Sequence, residues 1–196
     1  MRASRIPLAT TVIVLVFFYL PLVVMVVNSF NESRFGGTWE GFTWKWYERL
    51  WDTDAVWEAL WGSLKLAFWS ALAASVIGTL AAFALHRHRS RLQVVHMGLI
   101  QVPLVAPDLI MGMSLLLFFV AVGWDLGWLS VIVAHVTFCI SYVTMVVLGR
   151  LQDFDFQVVD AARDLGAGRW QILRRIMLPL LWPGILAGAL LAFTLS

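Results

Sequence analysis

Apolar residues run along this chain in five long blocks separated by short polar stretches. Residues 6–27 form the first, interrupted only by Thr10, Thr11 and the turn-prone Pro7 and Pro21, and ended by Asn28. It is too long for a signal-peptide core and no small-residue cleavage site follows it, so a retained helix is expected. Residues 60–85 are the second block, whose Ala71, Ala73, Ala74, Ser75 and Gly78 suit close approach of a neighbouring helix. The third block, 94–122, is broken by Pro103 and Pro107; the fourth is 128–148 and the fifth 180–196. One crossing of a bilayer core takes about 20 apolar residues, so each block reads as a span. The fifth stops without a closing Lys, Arg or turn, which suggests a chain that continues past Ser196.

Composition agrees with that pattern. Hydrophobic residues make up 61% of the 196 and charged residues 13%, against roughly a quarter charged in a soluble domain. A soluble enzyme, a nucleic-acid-binding module and a disordered chain are excluded. The one cysteine, Cys139, can form neither an internal disulfide nor a metal cluster, and no cofactor is expected. The expectation is an all-α polytopic bundle in a lipid bilayer, a single transmembrane domain over 1–196 with no nucleic-acid partner.

Charge placement orients the bundle. With the N-terminus cytoplasmic, the inner segments hold Arg2, Arg5, Arg87, Arg89, Arg91, Arg150, Arg163, Arg169, Arg174 and Arg175. The outer segments hold Arg34, Lys45, Arg49 and Lys65, completing the chain's 14 basic residues. Acids favour the outer side, and an inner excess of Lys and Arg sets topology.

Two connecting segments carry chemistry. Six of the eleven Trp (Trp39, Trp44, Trp46, Trp51, Trp57 and Trp61) fall in the outer segment between residues 39 and 61. An interfacial helix with indoles at headgroup level explains most of them. A vestibule face, where an indole attracts cations, makes Trp46 a pathway candidate. The inner segment, 149–178, is polar by this chain's standard yet helix-patterned. Phe154, Phe156, Val158, Val159 and Leu165 mix with Asp153, Asp155, Asp160 and Asp164. Gly166-Ala-Gly168 breaks that helix, and Trp170, Ile172, Leu173 and Ile176 restart an amphipathic stretch ending before Leu178-Pro179. Two short helices joined by a glycine bend read as a docking element, with Ala161 and Ala162 small enough for close approach and Gly166 free to take a positive φ.

Those residues carry a resemblance. Asp160-Ala-Ala-Arg-Asp-Leu-Gly166, followed after nine intervening residues by Ile176-Met-Leu-Pro179, resembles the EAA loop of binding-protein-dependent ABC importer permeases. The departure is Asp160 for the usual Glu, one methylene shorter with the charge kept. Asn28-Ser-Phe-Asn31, Ser33-Arg-Phe35, Gly41-Phe-Thr43 and Lys45-Trp-Tyr47 resemble the start of the spermidine/putrescine permeases within that family. So do Pro107-Asp108-Leu-Ile-Met, His135-Val-Thr-Phe-Cys139 and Ala192-Phe-Thr-Leu-Ser196.

The resemblance implies an ABC importer permease fold whose sixth span lies beyond Ser196, with 149–179 as the cytoplasmic loop that couples it to an ATPase. Its residues would be Asp160, Ala161, Ala162, Gly166, Leu178 and Pro179. It also implies a bacterial inner-membrane location and four kinds of partner: a cytoplasmic ABC ATPase dimer, a second PotB-like permease subunit, a periplasmic or extracellular solute-binding protein and a polyamine substrate. Ser196 joins the pathway candidates on the same ground. The chain has no Gly-rich phosphate-binding loop with a Lys, so ATP hydrolysis is expected on the separate ATPase and no enzyme activity here. Permeases for iron(III), thiamine or an opine-like compound share the loop and remain the alternative within the family. A secondary transporter would need no docking loop.

Asp108 is the remaining candidate. Fourteen residues past Val94, at about 1.5 Å each, put it about 21 Å into a core of roughly 30 Å. A carboxylate there is functional by default, and the preceding Pro103 and Pro107 favour a broken helix of the kind transporters use at midplane sites. His86 and His88, among Arg87, Arg89 and Arg91, read as an interfacial basic cluster for anionic lipid rather than a proton relay. Asp125, between Gly123 and Gly127, reads as a solvated turn residue.

Overall fold

The computed structural model describes residues 5–34, 36–87 and 92–196. Arg2, Phe35, His88, Arg89 and Arg91, which enter the readings above, lie outside the described residues. Among the described residues the regular structure is helical, with one isolated antiparallel bridge between Asn31 and Phe42. The helices are α1 (Arg5–Asn28), α2 (Lys45–Trp51), α3 (Asp54–Arg87), α4 (Gln93–Val105), α5 (Asp108–Ala121), α6 (Trp128–Gln152), α7 (Gln157–Asp164), α8 (Arg169–Ile172) and α9 (Leu178–Leu195). The chain divides into two compact units, Met1–Leu60 and Trp61–Ser196, the division falling within α3.

In the first unit, α1 is apolar on all sides, as a lipid-facing span is. Its 24 residues rise about 36 Å, enough to cross a core of roughly 30 Å. The chain leaving α1 is pinned by Asn31, whose side chain is fully buried. Asn31 Nδ2 donates to the Thr38 carbonyl (2.6 Å), and its Oδ1 accepts from the backbone N–H groups of Ser33 (3.3 Å) and Glu40 (2.9 Å). Phe30 stacks on Phe42 (5.4 Å) and meets Trp44 edge-on (5.0 Å).

α3 starts at Asp54, six residues before the apolar block does, because the Trp-rich segment continues the helix. Asp54 in the first turn complements the positive end of the helix dipole.

In the second unit α6 is the central element. Its Cys139, Val143, Val147, Leu148 and Leu151 are buried, together with Ala71, Ala74, Ala82 and Leu85 of α3 and Leu181 and Ala192 of α9. Small residues set the spacing. A Cβ on Gly78 of α3 would stand 2.8 Å from Val143 Cβ, and one on Gly188 of α9 would stand 3.4 Å from Val143 Cα. Val143 is therefore clasped between two glycines, the close backbone approach that membrane helices use in place of a hydrophobic driving force. Thr144 Oγ1 adds an interhelical hydrogen bond to the Gly78 carbonyl (3.3 Å), of a kind worth about 0.6 kcal/mol within a bilayer.

Two sequence expectations are corrected. Pro103 does not break the third block; it sits buried inside α4, and the break falls at Ala106 and Pro107, both extended. Pro107 forces this, because its ring excludes the helical region for Ala106. Nor does the second helix of the 149–178 segment end before Leu178-Pro179. α8 passes through a π-helical turn, Leu173–Met177, straight into α9. The Leu178 N–H bonds the Leu173 carbonyl five residues back, a local widening that lets Pro179 enter at the first turn of α9, where its missing N–H costs least.

Among the described residues four helices are long and apolar enough to cross a bilayer: Pro7–Asn28, Asp54–Arg87, Trp128–Gln152 and Arg169–Leu195. The α4–α5 pair, whose axes turn through 113°, makes a fifth if taken together.

Candidate functional site

Four places bear on function. The first is the hairpin of α7 and α8. α7 ends in a Schellman motif: Ala167 N–H reaches the Ala162 carbonyl (3.0 Å) and Gly166 N–H reaches that of Arg163 (2.8 Å). Gly166 takes φ +81°, so the glycine read as a bend is one by necessity. α8 starts at Gly168, whose N–H bonds the Gln171 side chain (3.1 Å). Val159 and Ile172 face inward and are buried, while Leu165 is 89% and Trp170 69% exposed. Asp160, Ala161 and Gly166 are exposed and Ala162 half-buried. Asp160 reaches Arg163 on its own helix (2.9 Å); both side chains are largely exposed, so this pair adds little stability.

The hairpin is tied to the bundle at both ends. Phe156 stacks on His86 at the end of α3 (5.1 Å, 11° between planes) and meets Phe154 edge-on (4.9 Å). His86, read as part of a lipid-binding cluster, thus packs on an aromatic ring. At the other end Leu178 is half-buried and Pro179 exposed, both on the first turn of α9.

The second place is the break between α4 and α5. Asp108 is the first residue of α5, exposed, in the turn where the helix dipole favours an anion. α4 is 13 residues long, so the carboxylate stands about 20 Å along from Gln93. Among the described residues no cation lies within ion-pairing distance of it.

Trp46 occupies the third place. It borders a cleft of about 430 Å³ lined by Asn28, Ser29, Ser33, Arg34, Tyr47 and Leu50. Its Nε1 donates to the Asn31 carbonyl (2.9 Å). Lys45 Nζ stands 5.0 Å and the Arg49 guanidinium 5.8 Å from the indole ring. The ring does attract cations, but the chain supplies two of its own.

The fourth place is the seam between α6 and α9. Contacts recur every four residues, forward on α6 and backward on α9: His135 with Ser196, Cys139 with Ala192, Val143 with Gly188. His135 Nδ1 lies 2.9 Å from Ser196 Oγ, and Cys139 Sγ 3.5 Å from the Ala192 carbonyl. Sequence reading named Ser196 and passed over its partner His135; a histidine inside an otherwise apolar span was the available signal.

A groove of about 550 Å³ between α3 and α9 is lined by Phe68, Leu72, Leu80, Trp182, Leu186 and other apolar side chains, with the hydroxyl residues Ser75 and Thr79 among them. Such mostly apolar walls suit lipid or another helix and present no charged group to a solute.

The comparisons follow the same segments. Residues 74–196 match the family described as "Binding-protein-dependent transport system inner membrane component". The chain is 44% identical over 184 residues to the spermidine/putrescine transport system permease protein PotC of Haemophilus influenzae, covering 94% of this chain and 72% of that protein. To PotC of Escherichia coli (strain K12) it is 44% identical over 180 residues, 92% of this chain and 68% of the relative. To the putrescine transport system permease protein PotI of the same strain it is 43% identical over 187 residues, 92% and 66%.

Proposed function

Given that this chain belongs to the binding-protein-dependent transport system inner membrane components, the permease family of ABC importers, we propose that the solute it carries is a polyamine. The observation that carries this reading is similarity at 43–44% identity along more than nine-tenths of the chain to relatives named for spermidine and putrescine transport. The chemistry agrees. A polyamine is a flexible chain of ammonium groups, and Asp108 offers a carboxylate at membrane depth with no cation paired to it among the described residues.

In this reading 1–196 belongs to one permease domain, with the N-terminus in the cytoplasm and the α7–α8 hairpin on the cytoplasmic side of the bacterial inner membrane. A second, PotB-like permease subunit shares the pathway, a solute-binding protein delivers the polyamine from outside, and an ATPase dimer hydrolyses ATP. The hairpin docks in a groove of the ATPase with Ala161 and Ala162 packed and Gly166 at the bend. Closure of the ATPase dimer then pushes on α8. Because α8 is continuous with α9 through the π-helical turn, that push becomes movement of a whole span. Asp108 holds ammonium groups in transit and Ser196 lies on the same route; Trp46 belongs to the outer segment, where an ammonium competes with Lys45 and Arg49 for the indole.

Uptake by cells whose polyamine import depends on this chain tests the substrate. Labelled spermidine accumulates and is displaced by unlabelled spermidine or putrescine, while thiamine and iron(III) leave it unchanged. Displacement by thiamine or iron(III), or no polyamine uptake at all, contradicts the assignment.

A further inference from the structure

The Ser196–His135 contact leaves one polar atom unexplained. His135 is half-buried, seven residues into α6, about 10 Å from the Trp128 end of that span. Its Nδ1 meets Ser196 Oγ at 2.9 Å. Its other ring nitrogen, Nε2, has no hydrogen-bond partner among the described residues and is not closed off by protein. A polar nitrogen at that depth does not face hydrocarbon without penalty; such groups turn to the bundle interior or to a water-filled cavity, and mark solute pathways.

The surroundings narrow what it meets. α5, which carries Asp108 at its first residue, and α9, which carries Ser196 next to its last, both pack on α6. Along α5, α9 and α6 as far as Leu148 there is no Lys or Arg; the polar side chains are the Asp108 carboxylate, hydroxyls, the Cys139 thiol, this imidazole and the indoles of Trp128 and Trp182. That set holds one acid and no fixed positive charge, and its carboxylate, hydroxyls and imidazole can accept hydrogen bonds. An imidazole is neutral with a proton on either nitrogen. An ammonium ligand selects the form with the proton on Nδ1, which then donates to Ser196 Oγ and leaves the Nε2 lone pair free to accept.

We propose that His135 lines the solute pathway and accepts a hydrogen bond through Nε2 from an ammonium group of the passing substrate, with Ser196 holding the ring. This rests on the polyamine reading above. The competing roles are a latch that only pins α6 to α9, and a contact to lipid or a second subunit.

Two measurements on the assembled transporter decide between them. In the first, a membrane-impermeant trimethylammonium thiosulfonate is added outside. The His135→Cys chain is modified, spermidine slows the reaction, and the native chain, whose Cys139 is buried, is spared. In the second, uptake is measured at saturating loaded binding protein. His135→Asn keeps a group near Nδ1 for Ser196 but removes Nε2, and uptake falls on the order of tenfold, the loss of one charge-assisted hydrogen bond. His135→Gln returns an acceptor at the reach of Nε2 and recovers uptake to within about twofold of native. A latch gives the opposite order, with His135→Asn near native and His135→Gln impaired. That order, or a His135→Cys chain that resists modification, overturns the proposal. A native complex that imports no polyamine overturns the substrate assignment instead, and the modification result still decides whether His135 faces water.

Discussion

At the membrane depth proposed for Asp108 a carboxylate costs several kcal/mol unless it is paired or hydrated, and Asp108 pairs with no cation among the described residues. Its place at the N-terminus of α5 recovers only part of that, about 0.3–1 kcal/mol from the helix dipole. In the proposed reading, water or a cationic solute supplies the remainder. Asp108→Asn therefore lowers polyamine uptake, by roughly tenfold if one charge-assisted contact is lost, while the permease still assembles with its ATPase. Unchanged uptake kinetics would remove Asp108 from the pathway, and loss of the assembled complex would mark it as structural. Asp108 was legible in the sequence because a lone acid stands out in an apolar block. Asn31 was not, since its value as a hub depends on contacts made at a distance, such as that to Glu40; His135 left a signal as a histidine in an apolar span, but its pairing with Ser196 was not readable. Trp46 was legible as a cation-attracting ring, but not that Lys45 and Arg49 would stand against it.

Among the elements, the hairpin of α7 and α8 was the most legible, since its bend depends on local chemistry. At φ +81° a residue with a Cβ is strained by roughly 1–2 kcal/mol, and only glycine closes the Schellman motif cheaply. Gly166→Leu is expected to leave the complex inserted while uptake falls and ATP hydrolysis no longer responds to loaded binding protein. Full uptake by that variant would refute the role given to the bend. Proline misled twice, in the same direction. Pro103 and Pro179 read as stops, yet α4 absorbs the first near its end and a π-helical turn admits the second. Only Pro107, which follows an extended Ala106, ends a helix as read. A stop at Leu178-Pro179 would have separated the hairpin from the last span, whereas α8 runs through the π-helical turn directly into α9, as the proposed coupling requires.

At the scale of the whole molecule, the apolar blocks disclosed the four long apolar helices and the broken pair between them, because the bilayer imposes span length through hydropathy, while the basic residues support only the proposed direction. They did not disclose that α6 is the centre, gripped at Val143 by Gly78 and Gly188, since pairing between apolar helices leaves only a faint trace of small residues. That arrangement joins the hairpin, the α6–α9 seam and α5 to one helix, so motion entering at α8 can reach the residues proposed to hold the solute. The account stands or falls on whether import through this chain is driven by ATP. Proteoliposomes holding this permease with its second subunit and ATPase, supplied with spermidine-loaded binding protein outside, provide the test. The account predicts accumulation of labelled spermidine against its gradient when ATP is enclosed, and none with a non-hydrolysable analogue. Accumulation without ATP, driven by an ion gradient alone, would contradict it and make the chain a secondary transporter.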